Sequence, residues 1–232
     1  MNQSARRALV IVAHPDDAEF LCAGTIGRWC AEGWEVAYVL VTDGDKGSNE
    51  PGMTPDKLAV IRREEQRGAA AVLGVKECVF LGYPDGFVED TVELREKLVR
   101  EIRRFRPDLV VTWDGFRRGF NHRDHRLTGQ VAMDAVYPLS RSHMYFEEHM
   151  RDGLSPHEVN EVLLAGTDQP DYYVDIKDFF AIKLKAVLCH QSQVGKRPVE
   201  EMEKRMRQRA EEIGKEAGYE LAESFRRISW AR

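Results

Sequence analysis

What most constrains the fold is a recurrence of short, unbroken apolar runs separated by stretches with helical character. Residues 8–13 read ALVIVA, 35–41 read EVAYVLV and 108–113 read DLVVTW. Runs this short, rich in β-branched residues and lacking apolar–polar alternation, suit strands buried on both faces of a parallel sheet. Parallel neighbours need crossovers, and the intervening segments supply them. Residues 24–32 read as a helix. Residues 56–73 form a longer one, with Thr54 as N-cap, Pro55 at the first position and Gly74 to end it. Residues 92–105 are amphipathic and stop before Pro107, and 78–81 make a further short strand. The expected fold is α/β, a mostly parallel sheet covered by helices, with right-handed crossovers. Further strands are expected near 162–165 and 172–174, and helices over 179–190 and 199–214, the second heavily charged.

The chain has 232 residues, 43% of them hydrophobic, enough for one large core, so residues 1–232 are taken as a single domain. A formal net charge of −5 gives no basic excess to neutralise a phosphate backbone, which argues against nucleic acid despite local basic clusters at 100–106 and 204–209. The cysteines at 22, 30, 78 and 189 have neither thiolate-zinc spacing nor disulfide density, and read as reduced, mostly buried thiols. No run is long and apolar enough for a membrane span or a signal-peptide core, so a cytoplasmic protein is expected. Oligomeric state is open, a homo-oligomer included.

Chemistry-bearing residues gather in two places. His14-Pro15-Asp16-Asp17-Ala18-Glu19 falls where the first strand ends and a helix begins, the position at which open α/β sheets bind ligands. Adjacent carboxylates beside a histidine repel one another unless they stay solvated or a cation compensates them. Asn121-His122-Arg123-Asp124-His125-Arg126 lies just beyond the fourth strand, and histidines three apart point to one side of a helical turn. A His/Asp/His set drawn from both clusters would hold a metal and leave a position for water. The bland alternatives are helix capping for the aspartates and surface placement for His122 and His125. Glu19 reads as a charge favourable to a helix N-terminus, and His190 as a structural histidine. His143, His149 and His157 are spaced by six and eight, which suits no single helical face and argues against a second metal site. Residues 140–156 read as a lid or insertion, and the turn-rich segment 42–55 as a loop bordering the site.

These two clusters resemble the PIG-L or LmbE-like N-deacetylases, which include deacetylases of mycothiol and bacillithiol biosynthesis and of the glycosylphosphatidylinositol pathway. His14 to Asp17 match the His-Pro-Asp-Asp signature, and His122 to His125 the later His-x-Asp-His. Weaker similarities are Thr42-Asp43-Gly44-Asp45, Leu81-Gly82-Tyr83-Pro84-Asp85-Gly86 and His190-Gln191-Ser192-Gln193. The resemblance implies a Rossmann-like three-layer α/β/α sandwich and a zinc ion, or another divalent metal such as Fe²⁺, held by His14, Asp17 and His125. It further implies Asp16 as general base and then general acid, with His122 facing the developing oxyanion. Asp124 is expected to hydrogen-bond His122 and keep it cationic, and Asp85 to approach substrate hydroxyls. The substrate expected is a small N-acylated amino sugar; a non-sugar amide or thiol conjugate, or a non-catalytic sugar- or nucleotide-binding module, are the alternatives. Against the module, no Gly-x-Gly-x-x-Gly follows the first strand. Two residues depart from the family pattern: Phe120 where some members have tyrosine, and Arg123 where proline is common.

Overall fold

The apolar runs become strands in the computed structural model, which describes residues 5–119 and 122–230. The strands are β1 (Arg7–Val12), β2 (Glu35–Thr42), β3 (Glu77–Tyr83), β4 (Leu109–Trp113), β5 (Glu161–Ala165), β6 (Tyr172–Asp175) and β7 (Ala222–Ser229). They form one sheet in the order β3-β2-β1-β4-β5-β7-β6. The first five are mutually parallel, and β7 runs antiparallel between β5 and β6. The helices are α1 (Asp17–Ala31), α2 (Pro55–Leu73), α3 (Val92–Phe105), α4 (Arg123–Asp134), α5 (Glu148–Arg151), α6 (Phe180–Val187), α7 (Gln191–Val194) and α8 (Val199–Ala217). This is the expected Rossmann-like α/β/α arrangement.

Alternation along β1 explains why its run is apolar throughout. Ala8, Val10 and Val12 pack into one core layer with side chains of α1, α2, α6 and α8, while Leu9 and Ile11 pack into the opposite layer with α3 and α4. All five are fully buried. The chain steps outward from β1 to β2 to β3 and then returns to place β4 on the other side of β1. The crevice above the C-terminal ends of β1 and β4 is therefore the topological switch point, and both signature clusters hang over it.

Two close approaches bring α4 against that crevice. A Cβ at Gly129 would lie 2.3 Å from the Trp113 carbonyl oxygen, and one at Gly115 would lie 2.4 Å from the Arg126 carbonyl oxygen. Only glycine at both positions lets the helix meet the end of β4 backbone to backbone.

Three expectations need correction. The first helix begins at Asp17 and kinks at Cys22 (φ −148, ψ 19). There the Glu223 carboxylate accepts from the Gly24 and Thr25 N–H groups at 3.0 and 2.8 Å and pairs with buried Lys183, capping the second half of the helix from β7. Strand β7 itself was not anticipated. Residues 140–156 are not a lid. Buried Arg103, at the C-terminal end of α3, donates to the carbonyls of Leu139, Ser140, Ser142, Tyr145 and Phe146. His149 is fully buried with Nε2 2.6 Å from Glu96, and His157 Nε2 donates to the Pro107 carbonyl at 2.7 Å. These anchors sit where β4 starts, at the opposite end of the sheet from the crevice. The loop 42–55 does reach the site, through the Lys46 N–H to Asp85 and the Gly44 carbonyl to Arg62.

Candidate active site and metal centre

Asp17 is built to be a fixed anion. Its Oδ2 accepts from the backbone N–H groups of Ala13 and His14 at 3.1 and 2.9 Å and from the Trp113 indole at 3.0 Å. That fills Oδ2 and leaves Oδ1 facing His125 Nε2 at 3.2 Å. Burial opposes its charge, but the neighbouring His125 and His14 hold the carboxyl well below the usual carboxylate range.

His14 reaches into the same space from the end of β1. Its Nδ1 lies 3.0 Å from His125 Nε2 and 3.6 Å from Asp17 Oδ2. Tetrahedral ligands at about 2.0 to 2.1 Å from a zinc ion stand roughly 3.3 Å apart, close to the 3.0 Å between the two ring nitrogens and the 3.2 Å between His125 Nε2 and Asp17 Oδ1. Two imidazole nitrogens at 3.0 Å also repel through their lone pairs unless a proton or a cation lies between them. On its other side, His14 Nε2 contacts Asp124 Oδ2 at 3.2 Å and Asp85 Oδ1 at 3.1 Å. A carboxylate on the distal nitrogen is the usual support for a metal-ligating imidazole, since it fixes the tautomer that presents a lone pair to the metal. Burial opposes charging of His14, yet Asp124, Asp17 and Asp85 together raise its pKa to about 11. The pocket demands a positive charge, and the residues present fit a divalent cation.

Asp16 sits beside this pocket in a left-handed conformation, φ 90 and ψ −25, which costs a non-glycine residue about 1–3 kcal/mol. Its N–H donates to Gln66 Oε1 at 3.0 Å, and its carboxylate lies 3.2 Å from the Arg62 guanidinium, which also binds the Pro15 carbonyl. Burial pushes the Asp16 pKa up to about 6, against the opposing pull of Arg62. A carboxylate so placed is ionised at neutral pH yet basic enough to take a proton.

His122 is the N-cap residue of α4, solvent-exposed, with its ring 4.3 Å from that of His125 and 4.8 Å from that of His14. His125 is thus stacked between His122 and Trp113, the latter at 4.0 Å. Ring nitrogens of His14, His122 and His125 all fall within 4.8 Å of one another, and so do donor atoms of His14, Asp85 and Asp124. The second group clusters on the Nε2 side of His14, where its short contacts are already those of a histidine and its supporting carboxylates, so the Nδ1 side is the better cation position.

Two assignments change. Asp124 does not bond His122: its carboxylate takes His14 Nε2 and the backbone N–H groups of Gly86 and Val88. Without that partner, His122 is not held cationic; the partial desolvation of its ring against its neighbours, and then the charges of His125 and His14, lower its pKa. Asp85 is likewise not open toward a ligand. It is 7% exposed, with one oxygen on His14 and the other on the Lys46 N–H. His14, Asp17 and His125, the metal set that the resemblance implies, lie in mutual contact, with Asp16 just before Asp17 in the chain. Sequence reasoning missed Trp113, Arg62 and Gln66. Trp113 ends a buried strand and so reads as core, and the other two lie on α2, far from either motif.

Residues 9–136 match the family described as PIG-L, GlcNAc-PI de-N-acetylase. Diacetylchitobiose deacetylase of Thermococcus kodakarensis is 34% identical over 221 residues, covering 95% of this chain and 82% of that protein. The chain belongs to the PIG-L family. Mycothiol S-conjugate amidase of Streptomyces coelicolor is 27% identical over 242 residues, covering 81% of this chain and 82% of that protein. Among solved structures, N,N'-diacetylchitobiose deacetylase from Pyrococcus horikoshii, complexed with its inhibitor MPG, superposes with a TM-score of 0.90 at 34% identity, covering 97% of this chain and 85% of that one. Of the two departures from the PIG-L pattern, Phe120 lies outside the described residues, as does Asn121. Arg123 turns its Nε toward the Val88 carbonyl at 3.1 Å and so braces the loop after β3. No helix among the described residues is long and apolar enough to cross a membrane.

Proposed function

We propose that this PIG-L chain is a zinc-dependent N-deacetylase that hydrolyses the N-acetyl group of a small amino-sugar substrate. The observation that carries the reading is that His14 Nδ1 and Asp17 Oδ1 lie 3.0 and 3.2 Å from His125 Nε2, with Asp16 immediately before Asp17 in the same turn. Zinc held by those three residues would supply Lewis-acid chemistry to an amide carbonyl and to water. The chain's own groups do the rest. Asp16 accepts a proton from the attacking water and passes it to the departing nitrogen, so amide and water become acetate and a free amine. Arg62 keeps the Asp16 carboxylate turned into the crevice. His122, neutral and exposed at the mouth, donates an N–H to the carbonyl oxygen as negative charge develops there, a role that needs no imidazolium.

The substrate class rests on the relatives. Two that share 34% of their residues with this chain are named as acting on diacetylchitobiose. The amidase at 27% favours a second reading, cleavage of an amide in a thiol conjugate by the same machinery. The test is acetate release from N-acetylglucosamine and N,N'-diacetylchitobiose, with metal content measured on the same samples. The proposal expects release that is lost on chelation, restored by zinc and abolished in Asp16→Asn. No bound divalent metal under any loading condition, with His14→Ala equal to wild type on a substrate that is turned over, would overturn it.

A further inference from the structure

A buried polar chain behind Asp16 is left unused by the reaction just described. Gln66, Glu19 and His190 are all fully buried. Gln66 Nε2 donates to Glu19 Oε1 at 3.0 Å, and Glu19 Oε2 lies 3.1 Å from His190 Nε2. At the other end, Gln66 Oε1 accepts the Asp16 N–H at 3.0 Å. Glu19 lies in the first turn of α1, but Gln66 comes from α2 and His190 from the turn that leads into α7, both distant in the chain from Asp16. Read with its buried partners, Glu19 is far more than a charge at a helix end.

The direction of the chain is fixed by chemistry. A carboxylate only accepts, so Glu19 takes the NH₂ end of the Gln66 amide and the oxygen end must face Asp16. That oxygen meets the one backbone N–H of the residue held at φ 90, a conformation an aspartate leaves when it is not restrained. Phe20 N–H to the Asp16 carbonyl at 3.1 Å holds the other side of the same residue. Arg62 orients the side chain, while Gln66 holds the backbone that carries it.

We propose that Gln66, oriented by Glu19 and His190, is a positioning residue for Asp16: it holds the strained backbone that aims the Asp16 carboxylate at the scissile amide. The inference rests on the deacetylase reading for its kinetic consequence and on geometry alone for its structural one. The Gln66 amide bonds Asp16 and Glu19 and none of His14, Asp17 or His125, so its removal is expected to act on kcat rather than on metal content. A misplacement of about 1 Å in a reacting group lowers turnover by as much as roughly a hundredfold.

Two variants separate positioning from simple support of the fold. Gln66→Met keeps the length and removes both polar ends, whereas Gln66→Glu keeps an oxygen for the Asp16 N–H and, being unable to ionise fully beside buried Glu19, shares one proton with it in place of the amide N–H. With zinc-loaded protein and N,N'-diacetylchitobiose, Gln66→Met is expected to lose about tenfold to a hundredfold in kcat at unchanged KM and zinc content. Gln66→Glu is expected to recover most of that loss even where its melting temperature is the lower of the two. Equal kcat in all three proteins, or kcat that follows melting temperature instead of the retained oxygen, would overturn the proposal. Hydrogen exchange at the Asp16 amide, followed by NMR in the wild-type chain, needs neither turnover nor a folded variant. Slow exchange, matching the neighbouring helical amides, is expected, and exchange at the rate of an exposed turn would sink the positioning role. Absence of acetate release by wild type would count against the functional reading and leave this amide test standing.

Discussion

Asp124 Oδ2 accepts from His14 Nε2 across 3.2 Å, so the acid of the second motif serves the metal-ligand candidate of the first. Its remaining bonds, from the Gly86 and Val88 N–H groups, tie the loop after β3 to the same carboxylate. Asp124 therefore joins three loops at the switch point and sets which nitrogen of His14 is free.

Replacing it weakens metal binding before it touches chemistry. Asp124→Asn keeps the size but offers His14 one oxygen without charge, and zinc affinity is expected to fall about 10- to 100-fold. Competition with a chromophoric chelator measures this directly. Unchanged affinity would return Asp124 to a role at His122.

Asp16→Asn removes the proposed proton carrier and keeps the shape. Turnover is expected to drop about 10²- to 10⁴-fold with zinc content and melting temperature near wild type, as steady-state kinetics and metal analysis will register. Burial raises the Asp16 pKa to about 6 in the metal-free protein, and a bound cation pulls it lower. The acidic limb of kcat/KM is thus expected at or below about pH 6, with activity falling as pH drops through it.

Much of this was legible in the sequence because it is local. The unbroken run in β1 can be read as buried on both faces, and the two His/Asp clusters stand out by type and spacing, although the choice of His14, Asp17 and His125 within them came from the resemblance to the PIG-L family. What was not legible depends on partners distant in the chain. The kink at Cys22 is stabilised by Glu223, about two hundred residues on, and Asp124 chooses His14 over its own neighbour His122 because α4 is drawn close by Gly115 and Gly129. Residues 140–156 read as a lid because they are polar. Their start is instead pinned through backbone carbonyls by buried Arg103, which turns an irregular segment into part of the scaffold.

Metal-free protein should be sensitive to alkali. Burial disfavours charged His14, but Asp124, Asp17 and Asp85 raise its pKa from 6.5 to about 11. A raised pKa means stability fully present below about pH 6.5 and lost as pH rises through about 11. The melting temperature of the chelated protein is expected to fall between pH 7 and pH 10, and zinc, which takes the place of that proton, to flatten the decline. Differential scanning fluorimetry at several pH values with and without zinc checks both statements.

The Lys183–Glu223 pair is the expected weak point of the scaffold. Both groups are nearly buried, and Glu223 alone satisfies the N–H groups exposed by the α1 kink. Glu223→Ala leaves a buried ammonium and is expected to cost about 3–5 kcal/mol in urea unfolding. A loss below about 1 kcal/mol would mean that water replaces the carboxylate.

The central claim is the position of the metal, and zinc-edge anomalous diffraction from crystals grown with zinc tests it most directly. One peak is expected about 2.0 to 2.2 Å from His14 Nδ1, His125 Nε2 and an Asp17 oxygen, with Asp124 still bonded to His14 Nε2. A peak on the other side of the ring, between His14 Nε2, Asp85 and Asp124, or no peak at either place, would contradict it.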